Sequence, residues 1–205
     1  MPAGGFAATL VMRPTEPAAQ VALRSFVAAL ALFDAFVAAT GRAEPFALKW
    51  PNDVLLNGGK VAGILLESAG QGGGVSHIAI GIGVNLVAAP ATAELEPQAL
   101  RPVSLLGETG AQLSPQEFLG LLAPAYAAWE ARFVTCGFAP IRTAWLARAA
   151  RLGQPIRART GTETLFGTFE TIDDSGALVL VTAQGRCAIP AAEVFFAGGA
   201  DASGD

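Results

Sequence analysis

The sequence predicts an α+β fold, with a larger domain over residues 1–152 and a small β domain over residues 153–197. Two observations carry this prediction. Apolar residues recur at helical spacing in two long stretches of the first part. Short apolar runs separated by turn residues fill the second part. Of the 205 residues, 52% are hydrophobic and 15% are charged, which suits a packed core. The tail, residues 198–205, is predicted to be disordered.

The chain is predicted to begin with a strand and a helix. Phe6–Met12 is an apolar run that is typical of a buried strand. Thr15 suits a helix cap and Pro17 suits the first helical turn, and Gly41 suits the helix end. Four apolar residues between them recur on one helical face: Phe26, Leu30, Phe33 and Val37.

Residues 46–84 predict a compact group of strands. Residues 46–50 form a first short strand, and residues 54–56 and 61–67 flank Asn57-Gly58-Gly59. An Asn-Gly pair between apolar runs is a strong hairpin signal. Residues 75–84 predict a further strand that ends at Asn85.

Helices and a small barrel are predicted for the rest of the chain. Ser114-Pro115-Gln116-Glu117 forms a capping box with proline at the first helical position. Five residues of this helix are expected to face inward: Phe118, Leu121, Leu122, Tyr126 and Trp129. A second helix is expected over residues 140–152, with both helices packed over the sheet. Four short apolar runs then predict a small β-barrel: residues 155–158, 164–172, 177–182 and 186–189.

Composition argues against several classes of function. The net charge of −4 does not favour bulk electrostatic binding of nucleic acid or anionic membrane. One histidine, His77, and two cysteines, Cys136 and Cys187, fit no zinc or disulfide spacing. The most apolar stretch, residues 25–39, is expected to be too short to span a bilayer. We therefore expect a soluble cytoplasmic protein without a membrane partner.

The candidate site lies around the hairpin. Asn52 and Asp53 follow a strand, Lys60 follows the glycine turn, Gly63 lies within the next strand, and Asn85 ends another. Amides read the edges of heterocycles, and an ammonium stabilises charge on phosphate. These residues suit a nucleotide and a carboxylate substrate. A structural interpretation is also open, in which Asn52 and Asp53 cap a turn and Lys60 is solvated.

Three segments together carry a family resemblance. "KWPNDV" (residues 49–54), "GKVAGILLE" (59–67) and "GIGVNL" (81–86) resemble, in order and spacing, the central signature of biotin protein ligases. The resemblance implies a mixed sheet with helices, of the class II aminoacyl-tRNA-synthetase and biotin-ligase type, and a C-terminal domain like the Src-homology-3 barrel. It implies ATP-dependent formation of biotinyl-5′-AMP, with Mg²⁺, and transfer of biotin to a lysine of the biotin carboxyl carrier protein of acetyl-CoA carboxylase.

The resemblance also implies residue roles. Lys60 would contact the biotin carboxylate and the α-phosphate, and Asp53 would support Mg²⁺ or the incoming amine. Biotin would lie against Gly63 and Ile64. The remaining residues would form the adenylate site: Lys49, Trp50, Asn52 and Asn85. The resemblance also allows a homodimer.

The sequence departs from the family in one respect. No segment resembles the Gly-Arg-rich loop, of the form GRGRxGR, that closes over biotin in the family, so weak biotin binding is expected. No segment resembles the winged helix of some members, so a repressor role is not expected. Three hypotheses therefore stand: a ligase whose recorded start is too late, a degenerate binding protein, or a lipoate-type acyl ligase. The Lys-Trp-Pro-Asn-Asp segment favours biotin over lipoate.

Overall fold

A computed structural model describes residues 4–70, 74–90 and 100–196. The predicted disorder of residues 198–205 falls outside these ranges. The first sheet has five strands in the order β1-β5-β4-β3-β2, and each strand pairing within it is antiparallel. Its strands are β1 Phe6–Met12, β2 Phe46–Lys49, β3 Asp53–Leu56, β4 Gly59–Ala69 and β5 His77–Val84. The α+β class is confirmed, and isolated parallel bridges join Leu48 to Ala149 and Lys60 to Pro102 beside the antiparallel strands.

Five helices lie among the described residues of this part of the chain. They are α1 Ala18–Ala22, α2 Arg24–Thr40, α3 Leu105–Thr109, α4 Pro115–Cys136 and α5 Phe138–Leu146. Helix α2 lies against β2, β3 and β4, and α4 packs on α2. Strand β5 shows the result, because its isoleucines are buried and the residues between them are partly or fully exposed. The helices therefore cover one face of the sheet and leave the other face open.

The apolar stretch near the N-terminus is the core helix. The stretch 25–39 lies within a longer helical run, 18–40, which by length and composition could cross a membrane. Most of it is buried inside the protein, however, and Val27, Leu30 and Phe36 have no exposed surface. Burial against the sheet and α4 explains this composition without a bilayer.

The ends of α2 and α4 test the predicted caps. Gly41 ends α2 with a φ of 70°, and the capping box of Ser114 and Glu117 is present in both directions. The prediction that Thr15 caps the first helix is wrong, because the cap position is Pro17 and no side chain bonds there.

Strand β1 was predicted to be buried and is mostly exposed, because it is an edge strand.

The second sheet follows α5 and contains the strands predicted for a small β domain. Its order is β10-β6-β7-β8-β9, with antiparallel pairing throughout. The strands are β6 Pro155–Arg159, β7 Thr164–Ile172, β8 Leu178–Thr182, β9 Gly185–Ile189 and β10 Glu193–Phe196. Strand β10 has only four residues and was not predicted, and α5 ends at Leu146 rather than near residue 152. The domain boundary at residue 152 stays a prediction.

Candidate active site

Three charged side chains meet where β2, β3 and β4 lie side by side. Asp53 pairs with Lys49 of β2 on one side and with Gly63 of β4 on the other. Its Oδ1 lies 2.5 Å from Lys60 Nζ in an ion pair without hydrogen-bond geometry, and its Oδ2 lies 3.5 Å from Lys49 Nζ. We call Lys49, Asp53 and Lys60 the ion cluster. It gathers the only two lysines of the chain around one carboxylate.

The ion cluster carries more positive than negative charge in a buried place. Lys49 and Asp53 are each 8% exposed, whereas the Lys60 side chain is 44% exposed. Burial lowers the pKa of Lys49, and the nearby charge of Lys60 lowers it further, while Asp53 opposes both effects. Two ammonium groups against one carboxylate favour the binding of an anion at the accessible member, Lys60.

A crossing segment fixes the backbone of Lys60. The Lys60 amide donates to the Arg101 carbonyl and the Val103 amide donates to the Lys60 carbonyl, both at 2.9 Å. Gly59 permits this approach, because a Cβ there would lie 2.4 Å from Val103 Cγ1. The backbone of Lys60 is thus held by the segment after residue 100, in addition to the strand β4 to which it belongs.

The open face of the sheet beside Lys60 is a floor without side chains. Gly63 pairs with Gly83, and Gly81 lies two residues along the same face of β5. A Cβ at Gly63 would lie 3.2 Å from Lys60 Cε and 3.3 Å from its Nζ. A Cβ at Gly81 would make only ordinary contacts, at 3.5 and 3.7 Å from Leu65. Packing therefore does not require glycine at 81, and we define Gly63, Gly81 and Gly83 as the glycine floor.

The two asparagines are held by backbone groups. Asn52 brackets Ile64, because its Nδ2 donates to the Ile64 carbonyl at 2.7 Å and its carbonyl accepts from the Ile64 amide at 2.9 Å. Asn85 Nδ2 donates to the Val103 carbonyl at 3.0 Å. Both side-chain amides thus hold neighbouring backbone segments together around the ion cluster.

Two concavities meet at the ion cluster. The first, which we call the cleft, has a volume of about 390 Å³ and is lined by both sheets. Its walls include Lys49, Asn85, Pro102 and the β10 residues Glu193–Phe196. The second, which we call the hollow, has a volume of about 570 Å³ and lies over the glycine floor. Four residues line both: Asp53, Lys60, Gly63 and Gly83.

The structure brings most of the predicted site residues together, but not all. Lys49, Asp53, Lys60, Gly63 and Asn85 line the cleft, and Asn52 and Ile64 line the hollow. Ile64 is 3% exposed, so it offers the hollow backbone rather than side chain. Trp50 lines neither concavity, because it is 3% exposed and its indole Nε1 donates to the Gly176 carbonyl at 3.0 Å.

Sequence reasoning did not assign roles to several lining residues of the hollow. These are Ala7, Ala8, Thr9, Leu65, Gly81, Ile82 and Gly83. One signal was present, since glycines two residues apart in a strand share a face and leave it open. The contribution of β1 was not readable, because it depends on the pairing of β1 with β5.

The described residues could bind Mg²⁺ together with the phosphates of a bound substrate, but do not form a metal site by themselves. They contain no group of three or more histidine, cysteine, aspartate or glutamate side chains that could hold a metal ion. Asp53 is the carboxylate of the ion cluster and already faces two ammonium groups. Mg²⁺ is commonly held by one or two carboxylates together with substrate phosphates. Asp53 and Glu193, which both line the cleft, are the carboxylates that could join such a shell.

The fold and this site define a class of protein. Residues 1–85 match the Biotin/lipoate A/B protein ligase family, and residues 152–197 match the Biotin protein ligase C terminal domain. A biotin--[acetyl-CoA-carboxylase] ligase of Paracoccus denitrificans is 65% identical over 198 residues, which are 97% of this chain and 82% of that protein. This chain therefore belongs to the biotin protein ligase family.

More distant matches are also named as ligases. The bifunctional ligase/repressor BirA of Bacillus spizizenii is 32% identical over 191 residues, which are 91% of this chain and 56% of that protein. The apo biotin protein ligase of Aquifex aeolicus has the same fold, with a TM-score of 0.80 at 22% identity over 93% of this chain and 82% of that one. A second Aquifex structure, in complex with biotin and ATP, gives a TM-score of 0.75 at 23% identity over 93% and 77% of the two chains.

Proposed function

We propose that this chain is a biotin protein ligase that uses ATP to convert biotin into biotinyl-5′-AMP and then transfers biotin to a lysine of the biotin carboxyl carrier protein of acetyl-CoA carboxylase. One observation carries the assignment of its site. Lys60 lies where the cleft and the hollow meet, beside a floor that has no side chains. Two substrates bound in the two concavities would have their reacting ends at this ammonium group.

We assign the hollow to biotin and the cleft to ATP. The glycine floor would let a flat, largely apolar ring system lie against the strands, with Leu65 beside it. The cleft offers amide, ammonium and aromatic groups, from Asn85, Lys49 and Phe195, which suit a nucleotide and its phosphates. The biotin carboxylate would then point at Lys60.

The first step needs electrostatic help rather than a base. A carboxylate is already a nucleophile, so its oxygen attacks the α-phosphorus of ATP and pyrophosphate leaves with the electrons of the broken P–O bond. The barrier comes from the approach of two anions. Lys60 would lower it by direct contact, and buried Lys49 would add positive potential from below. Mg²⁺, bound with ATP, supplies further charge neutralisation.

The second step needs a neutral amine. The lysine nitrogen of the carrier attacks the acyl carbon of biotinyl-5′-AMP, an amide bond forms, and AMP leaves. Asp53 lies beside the position assigned to the mixed anhydride and could accept the proton of the amine. This carboxylate lies 2.5 Å from Lys60 Nζ and 3.5 Å from Lys49 Nζ, at the place where the two concavities meet.

Further parts of the proposal concern partners and location. The carrier would approach over the open face of the sheet, because α2 and α4 cover the other face. The β domain would complete the ATP site through β10. We propose a cytoplasmic location, where the carrier is made. A homodimer is compatible with the exposed edge strand β1.

Exchange of labelled pyrophosphate into ATP tests the assignment. Exchange should depend on biotin, supplied up to the millimolar range, and should not be supported by lipoate. Lys60→Ala should reduce the exchange rate at least about tenfold, equivalent to about 1.4 kcal/mol of transition-state stabilisation. Arg42→Ala, which removes an exposed cation after α2, is the matched control and should exchange like the wild type. Absence of biotin-dependent exchange in the wild type would favour the degenerate hypothesis, and unchanged exchange in Lys60→Ala would refute the role of Lys60.

A further inference from the structure

We propose that Trp50 is a positioning residue through which the C-terminal β domain holds the ion cluster in its working geometry. The inference rests on the proposed function for its activity measurement, but it also has a structural measurement of its own. It replaces the expected role of Trp50 as a wall of the adenylate site.

Trp50 connects the two sheets by a buried hydrogen bond. It follows the last residue of β2, and its indole Nε1 donates to the Gly176 carbonyl at 3.0 Å. Both residues are buried. Leaving a buried carbonyl without a hydrogen-bond donor costs free energy. The bond therefore fixes the position of the loop 50–52 relative to the β domain.

The turn that contains Gly176 packs against the start of helix α2 in the first domain. Asp173 Oδ1 accepts hydrogen bonds from the Ser175 and Ala177 amides, which orders the turn between β7 and β8. Gly176 has a φ of 82°, and a Cβ there would lie 2.8 Å from Phe26 Cε2 and 2.9 Å from Leu23 Cδ2. Only a residue without a side chain fits between α2 and Trp50 in this conformation.

The path from Trp50 to the ion cluster is short. Trp50 is joined to Pro51 by a cis peptide bond, and Asn52 and Asp53 follow. Asn52 is fastened to Ile64 of β4 on both its side chain and its carbonyl. The loop therefore has two attachments, Gly176 on one side and Ile64 on the other, and Asp53 comes directly after the second.

Two variants break the first attachment by different means. Trp50→Phe keeps an aromatic ring and removes the N–H group. Gly176→Ala keeps Trp50 and pushes the turn away from α2. Gly185→Ala is the matched control, because Gly185 also has a positive φ, 115°, in the neighbouring turn, and a Cβ there would meet no atom within 4 Å. It imposes similar backbone strain on the β domain without touching the first domain.

Two measurements are made on each variant. The first is hydrogen exchange of the Ile64 amide, which donates to the Asn52 carbonyl and needs no substrate. The second is kcat of biotin-dependent pyrophosphate exchange, per site that forms an adenylate burst, together with KM for ATP. Counting competent sites removes the effect of partial unfolding.

Trp50→Phe and Gly176→Ala should each speed exchange of the Ile64 amide about tenfold or more. They should also lower kcat per site about fivefold or more, with KM for ATP within about twofold, since a displaced group near the reacting atoms costs rate. Gly185→Ala should match the wild type in both measurements. The proposal is overturned if Ile64 exchange in Trp50→Phe is unchanged, or if Gly185→Ala has the same effects as Gly176→Ala. Absence of activity in the wild type would refute the proposed function, while Ile64 exchange would still decide the role of Trp50.

Discussion

Substitution of Gly63 by alanine should lower enzymatic activity and leave the free energy of unfolding nearly unchanged. The φ of Gly63 is not positive, so alanine meets no backbone strain there. The new Cβ would lie 3.2 Å from Lys60 Cε and 3.3 Å from Lys60 Nζ, and no closer than 3.6 Å to Asp53 Oδ1. Ordinary carbon contacts lie near 3.5–4.0 Å, so the end of Lys60 must move by about 0.5 Å.

The expected magnitudes follow from that displacement. Alanine restricts the unfolded chain and stabilises by roughly 0.4–1 kcal/mol, which offsets the tighter contact, so the free energy of unfolding should change by less than about 1 kcal/mol. A misplacement of about 1 Å near the chemistry can cost roughly 100-fold in rate, so a shift of half that size should lower kcat about tenfold, or 1.4 kcal/mol.

Steady-state pyrophosphate exchange and urea denaturation are measured on Gly63→Ala and on Gly81→Ala. Gly81→Ala adds a methyl group to the same floor, but its Cβ contacts only Leu65 at ordinary distances. It should raise KM for biotin and leave kcat near the wild-type value. The reasoning is refuted if Gly63→Ala keeps full kcat, or if Gly81→Ala loses kcat to the same extent.

Three further predictions concern stability. Burial lowers the pKa of Lys49, so the unfolded chain binds a proton that the folded chain has lost between that lowered pKa and about 10.5. The free energy of unfolding should therefore rise with pH in this window, and denaturation at a series of pH values should show no such contribution in Lys49→Met. Ser114→Ala removes the hydroxyl that accepts from the Glu117 amide and should destabilise by about 1 kcal/mol in urea denaturation. Ser175→Ala, in an exposed turn, is the control and should have a smaller effect. Gly120→Ala, on the exposed side of α4 with no atom within 4 Å of the new Cβ, should stabilise by about 0.5–1 kcal/mol without altering exchange; destabilisation would contradict the open packing there.

Local signals made much of the fold predictable. Asn57 and Gly58 have φ values of 50° and 78° and form the predicted hairpin turn. Ser114 and Glu117 start α4 because their bonds to each other's backbone are determined by four consecutive residues. Helix α3 was not predicted, since five residues are too few to show a helical repeat of apolar residues and only the Ser104 cap indicates a helix there.

The site was less predictable than the fold, for a physical reason. Lys60 and Asp53 were predicted as site residues because lysine is scarce in this chain and the Lys-Trp-Pro-Asn-Asp segment is specific, and their roles stay a prediction. The hollow could not be foreseen, because it needs the pairing of β1 with β5 and of Gly63 with Gly83. The role of Trp50 could not be foreseen either, since its partner Gly176 lies 126 residues further along the chain.

A crystal structure of this chain with biotinyl-5′-AMP would test most directly whether the two concavities serve one reaction. The biotin rings should lie over Gly63, Gly81 and Gly83, the adenosine should occupy the cleft beside Asn85, and the acyl-phosphate group should lie within about 3 Å of Lys60 Nζ. A ligand confined to one concavity, or one whose acyl-phosphate group does not contact Lys60, would contradict the proposed site.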